Sequence, residues 1–467
     1  MTDPAPAPAP SWGQLLFGRW AGITWTRSLA IAMHAVAWYI LATALPSAVA
    51  DVGGASIVSW VLSIYLVASI VSGSASGLLK ARYGSRPILL VSTGIFLAGT
   101  VVAAAAPTML LVVAGRALQG IGEGVIFAVT NMLVRDLYPK AALPRVYAFS
   151  AAVWSVAGAA GPLLSGLLTD HVSWRGALWT MAPLAAVYGL LVLTVQPPVA
   201  PTRAALRFPF RRLLAVTAGV VALSLGGAAS DPLAAGAALV ATIVIVSLAF
   251  RADRGAPVRL FPSDLLVLRR VAPLGIWLLT VMCCAEAAVG VYIPLLVQTL
   301  YGTSSLVAGY FLAIVAFAWT VAALIAARFS GPVVDAFIVA GPTLLCLGLL
   351  ALGPALYLDS LLPAGIAMTV IGTGFGIQFA FVTQRVLAAL NPDEGDVTAG
   401  ALPTLQSAGA AFGAALAGLV GNLAGIALLD DPDSLRRASL WVMGVSAALG
   451  IPAVLAAVRM VRAGRAA

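Results

Sequence analysis

Arg116-Ala-Leu-Gln-Gly-Ile-Gly-Glu123 places an arginine and a glutamate in the middle of a long apolar segment. Ionisable side chains are costly to bury in a membrane helix, so these two are candidates for function. Arg116, Gln119 and Glu123 follow an i, i+3, i+7 spacing, which puts all three on one helix face. The alternative is a buried ion pair that only joins helices. A rise of about 1.5 Å per residue disfavours it, because the two charges are then too far apart for a simple contact.

The composition is typical of an integral membrane protein. The chain has 467 residues, of which 61% are hydrophobic and 9% are charged, whereas about a quarter are charged in soluble proteins. The net charge is +9, but the basic residues punctuate apolar segments instead of lining one surface, so we expect no nucleic-acid partner. The sequence has no metal-ligand pattern and no GxxxxGK[ST] loop, so we expect no metal, no cofactor and no coupling to ATP in this chain. Cys283, Cys284 and Cys346 lie in apolar runs and are expected to serve packing.

Runs of about twenty apolar residues recur along the chain, and each is long enough to cross a bilayer. They predict an all-α membrane protein with two six-helix bundles and two extra transmembrane helices between them. The predicted parts are an N-terminal tail with an interfacial segment (1–27), the first bundle (28–196), a linker with the two extra helices (197–270), the second bundle (271–458) and a C-terminal tail (459–467).

The distribution of lysine and arginine predicts the orientation. With a cytoplasmic N-terminus, only Arg175, Arg436 and Arg437 face outward and Arg116 lies inside the membrane. These four leave 22 of the 26 basic residues on the cytoplasmic side. We therefore expect a multi-pass protein of the plasma (inner) membrane with both termini in the cytoplasm.

The two halves show a trace of internal repetition. Gly77-Leu-Leu-Lys-Ala-Arg82-Tyr is similar to Ala323-Leu-Ile-Ala-Ala-Arg328-Phe, and each follows the second span of its half. Weak similarity between halves is typical of transporters built from repeats, in which the substrate site lies between the halves near the midplane.

Three motifs, in the same order along the chain, resemble those of the major facilitator superfamily, in particular its fourteen-helix drug:proton antiporter branch. Gly77-Leu-Leu-Lys-Ala-Arg82-Tyr-Gly84-Ser-Arg86 resembles the loop between helices 2 and 3. Arg116-Ala-Leu-Gln119-Gly120 resembles the helix 4 motif, whose arginine is linked to proton coupling. Gly158-Ala-Ala-Gly161-Pro162-Leu-Leu-Ser-Gly166 resembles the helix 5 motif of exporters. The resemblance implies a major-facilitator-type fold and a monomeric, proton-coupled exporter of the multidrug-efflux type, which moves amphipathic or hydrophobic compounds by alternating access.

The helix 5 stretch also has a direct physical interpretation. Its glycines leave one side of the helix without side chains, and Pro162 removes a backbone hydrogen bond and bends the helix. Such a helix can rock over a partner from the other half. The alternative is a close-packed, kinked helix with no bearing on the direction of transport.

The chain departs from the family pattern at two places. The loop motif has Ala81 where the family has an aspartate. We predict a relocated cytoplasmic gate in which the basic residues Lys80, Arg82 and Arg86 pair with the acids Asp393, Glu394 and Asp396. These acids lie just before a predicted helix, and a helix N-terminus favours negative charge. The first helix keeps Ala44-Leu45-Pro46 but lacks the acidic residue expected before it. That difference argues against multi-proton coupling and against recognition of cationic drugs through helix 1.

We expect Glu123 and Glu286 to exchange protons and Arg116 to modulate Glu123 and take part in the gate. Glu286 is isolated in an apolar run, which favours its protonated form; the alternative is a neutral acid bonded to a backbone carbonyl. His34 is a further candidate for coupling, and the alternative for it is a satisfied polar contact. The remaining candidates for coupling or for the cavity wall are Gln119, Trp38, Tyr39, Tyr292, Gln378 and Gln406; the alternative for the cavity residues is packing or a position that faces lipid.

Two other functions stay open. One is a carrier for a lipid or metabolite, by symport, antiport or facilitated diffusion, which the scarcity of charge favours. The other is a non-transporting membrane scaffold on a borrowed fold, which leaves Arg116 and Glu123 without a role.

Overall fold

The computed structural model describes residues 10–201, 210–228, 231–254, 261–358, 360–389, 395–426 and 431–466. Within this part the chain forms helices and their connections, without strands. Fourteen helical segments of the described part are long and apolar enough to cross a membrane. The predicted fold class is therefore confirmed.

The first bundle begins with a short helix, α1 (Trp12–Leu16). Its membrane helices are α2 (Ala21–Val52), α3 (Trp60–Tyr83), α4 (Ser85–Ala104), α5 (Met109–Leu137) and α6 (Leu143–His171), followed by α7 (Trp174–Trp179) and α8 (Met181–Thr194), which form one span. The first span starts before the predicted position 28. Thr24 and Arg27 are buried and hydrogen-bonded to neighbouring parts of the bundle. These hydrogen bonds form without water, so the helix can begin before residue 28.

The two extra helices are α9 (Phe210–Ala228) and α10 (Pro232–Arg254), which pack against each other and are joined by an ion pair between Arg212 and Asp253. The second bundle consists of α11 (Val271–Tyr301), α12 (Ser305–Ala326), α13 (Pro332–Ala355), α14 (Leu362–Ala388), α15 (Gly395–Leu423) and α16 (Pro432–Ala466). Helix α9 lies against α3 and α15, so the extra pair sits beside the seam between the bundles.

The two bundles share a motif of three glycines at alternate positions. These are Gly120, Gly122 and Gly124 in α5 and Gly372, Gly374 and Gly376 in α14. In α5, a Cβ at Gly120 or Gly124 would lie 2.3 or 2.2 Å from a carbonyl oxygen of α3. In α14, the equivalent distances at Gly372 and Gly376 are both 2.3 Å, to carbonyl oxygens of α12. Only residues without a side chain allow backbones to approach this closely. The fourth helix of each bundle is therefore locked onto the second in the same way.

Hydrogen bonds between the bundles gather at one end. The carboxylate of Asp170, at the end of α6, accepts hydrogen bonds from the Ser305 and Leu306 amides of α12 at 2.8 and 2.9 Å. Gln298 of α11 donates to the Thr43 carbonyl of α2 at 3.0 Å. Asn422 of α15 contacts the connection that precedes α3. Among the described residues these direct hydrogen bonds all lie at the predicted outer end, so the structure is closed on that side.

Candidate functional site

A buried acid and a buried histidine meet at the centre of the first bundle. Nδ1 of His34 in α2 is hydrogen-bonded to Oε1 of Glu123 in α5, and the two residues are 7% and 1% exposed. Ser69 of α3 donates to the second carboxylate oxygen at 2.9 Å. Three helices thus converge on one carboxyl group.

Aromatic rings surround the histidine. The imidazole is stacked on Phe127 with a ring-centre distance of 4.4 Å, and Trp154 of α6 lies 5.2 Å away. Trp38, one turn further along α2, lies 6.3 Å away. These rings keep the pair away from bulk water and couple the position of the imidazole to α6 as well as to α5.

Arg116 precedes Glu123 by two turns on α5 and is fixed by other partners. Its guanidinium donates to the Ala37 carbonyl of α2 at 2.9 Å and to the Val61 carbonyl of α3 at 3.3 Å. A third bond goes to Gln119 Oε1 at 2.8 Å, and the Tyr65 ring lies 3.9 Å from the guanidinium carbon. The arginine therefore ties three helices together one layer away from the His34–Glu123 pair.

A small cavity adjoins Arg116. It has a volume of about 20 Å³ and is lined by Trp38, Arg116, Gly290 and apolar residues of α2, α3 and α11. This is enough space for about one water molecule. Trp38 thus lines a cavity between the bundles, although in this conformation the cavity does not hold a larger compound.

The second bundle has apolar residues at the places that correspond to the His34–Glu123 pair. Phe375 lies between the second and third glycines of α14, as Glu123 does in α5. Met282 precedes the helix-interior Pro294 by as many residues as His34 precedes Pro46. The described part of the chain therefore carries this pair in the first bundle alone.

Glu286 is half-buried in the middle of α11. Within the part of the chain that the structure describes, its carboxyl group has no hydrogen-bond partner. Tyr39 of α2 is close enough for its phenol to interact with the Glu286 charge, and Cys283 precedes Glu286 on the same helix face. The structure thus places Glu286 and Tyr39 near each other across the seam, apart from the His34–Glu123 pair.

The other predicted cavity residues differ in burial. Tyr292 is buried, with its hydroxyl near Gly421 of α15. Gln378 is fully buried in α14 and donates to the Met282 sulfur at 3.1 Å. Gln406 is half-buried in α15. The structure brings Gln378 to a packed helix interface inside the second bundle.

The helix 5 glycines lie at two interfaces of α6. A Cβ at Gly158 would lie 3.8 Å from the Tyr39 ring, and one at Gly161 would lie 3.4 Å from the α2 backbone at Val36. A Cβ at Gly166 would lie 2.6 Å from Leu306 of the other bundle. Pro162 lies inside the helix, and its carbonyl oxygen would be 2.5 Å from a Cβ at Gly309 of α12. Helix α6 therefore touches both bundles through backbone contacts.

Of the predicted cytoplasmic gate, the structure describes the side chains of the three basic residues. Lys80 forms an ion pair with Asp136 of α5, Arg86 donates to the Gln196 carbonyl at 2.9 Å, and Arg82 lies over Tyr83. Asp393 and Glu394 lie outside the described residues, as does the side chain of Asp396. The relocated gate stays a prediction.

Two six-helix bundles with a related scaffold, closed against each other at one end and with a buried acid–histidine pair inside the first bundle, are typical of a secondary transporter. A family model for the Major Facilitator Superfamily matches residues 27–414. The chain therefore belongs to the major facilitator superfamily, as the motifs predict. It is a multi-pass membrane transporter and not an enzyme.

Known relatives cover nearly the whole chain. A probable multidrug-efflux transporter of Mycobacterium tuberculosis is 32% identical over 438 residues, which span 89% of this chain and 90% of that protein. The uncharacterized transporter YebQ of Escherichia coli is 27% identical over 415 residues, with coverage of 86% and 89%.

Solved structures share the fold at low sequence identity. A D-xylose–proton symporter superposes with a TM-score of 0.63 at 18% identity, covering 94% of this chain and 96% of its own. A peptide transporter in complex with sulfate gives a TM-score of 0.66 at 14% identity, with coverage of 98% and 97%.

Proposed function

We propose that this transporter is a proton-coupled exporter of amphipathic or hydrophobic compounds, and that the His34–Glu123 pair carries the proton. The observation that supports the proposal is the buried contact of the imidazole with the carboxylate, which Ser69 completes. The similarity to probable multidrug-efflux transporters supports the substrate class. The bacterial relatives support an inner-membrane location.

The pair has two states with different charge. With one proton bound, imidazolium and carboxylate form a neutral pair whose charge-assisted hydrogen bond holds α2 against α5. When the proton leaves, Glu123 keeps a negative charge and the bond to a neutral imidazole is weaker. Since His34 also lies against Trp154 of α6, protonation changes the contacts of both α2 and α6.

Arg116 is proposed to hold α2 in place while the contacts of His34 change. Its bond to the Ala37 carbonyl fixes α2 one turn from His34. Because Arg116 stays charged, it also stabilises the carboxylate of Glu123 after the proton has left. Glu286 is proposed as a second proton carrier, since its half-buried carboxyl group lies on the other side of the seam.

The glycines of α6 and the basic residues near Lys80 are proposed to act in the conformational change. At Gly166 and Pro162, α6 touches α12 without intervening side chains, so it can rock there. At the predicted cytoplasmic end, Arg82 and Arg86 would pair with an acid of the α14–α15 connection when that end closes.

The proposal is tested in proteoliposomes that contain pyranine as an internal pH probe. Addition of an amphipathic dye, such as ethidium or fluorescein, should move protons in the wild-type protein. Glu123→Gln keeps the size of the side chain and can still hydrogen-bond, but it has no negative charge to hold a proton on His34, so dye-driven proton movement should disappear while thermal unfolding is unchanged. Ser69→Ala, which keeps the acid, should reduce the rate without abolishing coupling.

A Glu123→Gln variant that still exports dye against its gradient would disprove the assignment. Dye transport by the wild type without proton movement would indicate facilitated diffusion.

A further inference from the structure

A second buried arginine of the first bundle lies outside the proton site. Arg27 in α2 is 5% exposed. Its guanidinium donates to Ser150 Oγ of α6 and, at 3.0 Å, to Asn131 Oδ1 of α5, and the Tyr147 ring lies 5.5 Å from its central carbon. All of these partners are neutral.

The hydrogen-bonding capacity of this guanidinium is only partly used. A guanidinium has five N–H donors, and the two bonds to Ser150 and Asn131 leave three without a partner among the described residues. One of these is the Nε–H group, which is buried. By contrast, Arg116 has three acceptors and an aromatic ring, and Arg212 is paired with Asp253.

The charges inside the first bundle do not balance. Its buried acidic and basic side chains in the described part are Arg27, Arg116, Glu123 and His34. Two arginines and one glutamate leave one positive charge in excess even when the histidine is neutral. A buried charge without a counter-ion is strongly unfavourable. A single negative charge beside Arg27 would remove the excess.

Arg27 lies on the predicted route from the cytoplasm to the proton pair. It precedes His34 on α2 by seven residues, or about 10 Å of helix. Ser150 lies one turn before Trp154 on α6, and Trp154 contacts His34. Tyr147, one turn earlier on the same side of α6, is 47% exposed. The guanidinium of Arg27 therefore lies between an exposed aromatic ring, Tyr147, and a second aromatic ring, Trp154, which lies against the proton pair.

We propose that Arg27, Asn131, Ser150 and Tyr147 form a binding site for the carboxylate of an anionic amphipathic compound. The planar guanidinium presents paired N–H groups that match a carboxylate. The aromatic rings of Tyr147 and Trp154 provide apolar surface on either side for the body of the compound. That this compound is a transported substrate rests on the proposed export function, whereas its binding requires no proton coupling.

The test compares two dyes with the same three-ring frame, fluorescein, which carries a carboxylate, and rhodamine 6G, in which this group is esterified and the charge is positive. Binding is measured by fluorescence anisotropy with the purified full-length protein in phosphatidylcholine nanodiscs, without a pH gradient. Arg27→Gln should weaken fluorescein binding about 10- to 100-fold, the loss expected for hydrogen bonds to a charged group, and leave rhodamine 6G binding unchanged. Arg27→Lys should lie between wild type and Arg27→Gln, because it keeps the charge but not the paired donors.

Arg175→Gln is the matched control, because Arg175 is an arginine of the same bundle that pairs with Asp51 at the opposite end. It should bind both dyes as the wild type does. Unchanged fluorescein binding in Arg27→Gln would overturn the proposal. Should that variant not fold, the wild type still decides, since equal affinity for the two dyes would also overturn it. If phosphatidylglycerol in the nanodiscs removes the difference in fluorescein affinity between the wild type and Arg27→Gln, the site belongs to a lipid headgroup and the substrate assignment is wrong.

Discussion

Asp170 should act as a latch that keeps the predicted outer end closed. The residue belongs to α6 of the first bundle, but its carboxylate accepts from the Ser305 and Leu306 amides at the start of α12 in the second. The N-terminal amides of a helix are otherwise unpaired and attract negative charge. Ser304 caps the same helix through the Val307 amide, so α12 keeps a cap of its own when Asp170 leaves. The latch therefore affects the distance between the bundles rather than the folding of α12.

The magnitude follows from the number and type of contacts. Replacing a capping aspartate by alanine costs about 0.5–2 kcal/mol, and the site is exposed, so salt reduces the electrostatic part. We expect Asp170→Ala to destabilise the closed outer end by about 1–2 kcal/mol relative to the open one. That difference changes the ratio of closed to open molecules by a factor of about 5–30.

The population shift can be measured with spin labels at Val172 and Leu358, two exposed positions at the outer end of different bundles, in a variant without the native cysteines. Asp170→Ala should add a population with longer label–label distances in double electron–electron resonance. The control is Asp51→Ala, since Asp51 accepts from Trp174 and Arg175 within one bundle. An unchanged distance distribution in Asp170→Ala, or an equal change in the control, would refute the latch.

Two further predictions concern α5 and α12. Arg116→Lys should lower dye-driven proton movement in proteoliposomes about tenfold or more although it keeps the charge, because an ammonium cannot bond Ala37, Val61 and Gln119 in the fork that arginine forms; near-normal rates would show that only the charge matters. Gly309→Ala should open the outer end in the same spin-label experiment, because its Cβ would lie 2.5 Å from a carbonyl oxygen of α6, whereas Gly94→Ala, which has open space around the new atom, should not.

The sequence is sufficient to predict the membrane helices and the importance of the α5 face. Both depend on local quantities, namely the length of an apolar run and the cost of a charge within it. The i, i+7 spacing also shows that Arg116 and Glu123 are too far apart for direct contact, and in the structure each has its own partners. The first span begins at Ala21 and not at the predicted position 28, because Arg27 is buried between helices and does not end the span.

The partner of Glu123 could not be identified from the sequence. His34 lies 89 residues away along the chain, and contact between them depends on how α2 and α5 pack. The same applies to Ser69 and to the contact of Arg27 with Ser150, which are 123 residues apart. One signal was available, since Arg27 and His34 follow a seven-residue spacing and therefore share a face of α2. Two polar residues on one face of an apolar helix indicate a buried polar interface, although they do not show which helix supplies the other half.

The arrangement of the two bundles indicates how a proton in one of them can change the contacts of both. The glycine contacts of α5 and α14 are alike, so Glu123 and Phe375 occupy equivalent places, one titratable and the other not. Gain or loss of a proton there changes the first bundle alone. The response must then pass through the helices that touch the second bundle, and α2 and α6 do so at Thr43 and Asp170. His34 belongs to α2 and lies against Trp154 of α6. Under the proposed coupling, the proton would therefore act directly on two of the helices that hold the outer end closed, without a longer chain of residues between the proton site and the seam.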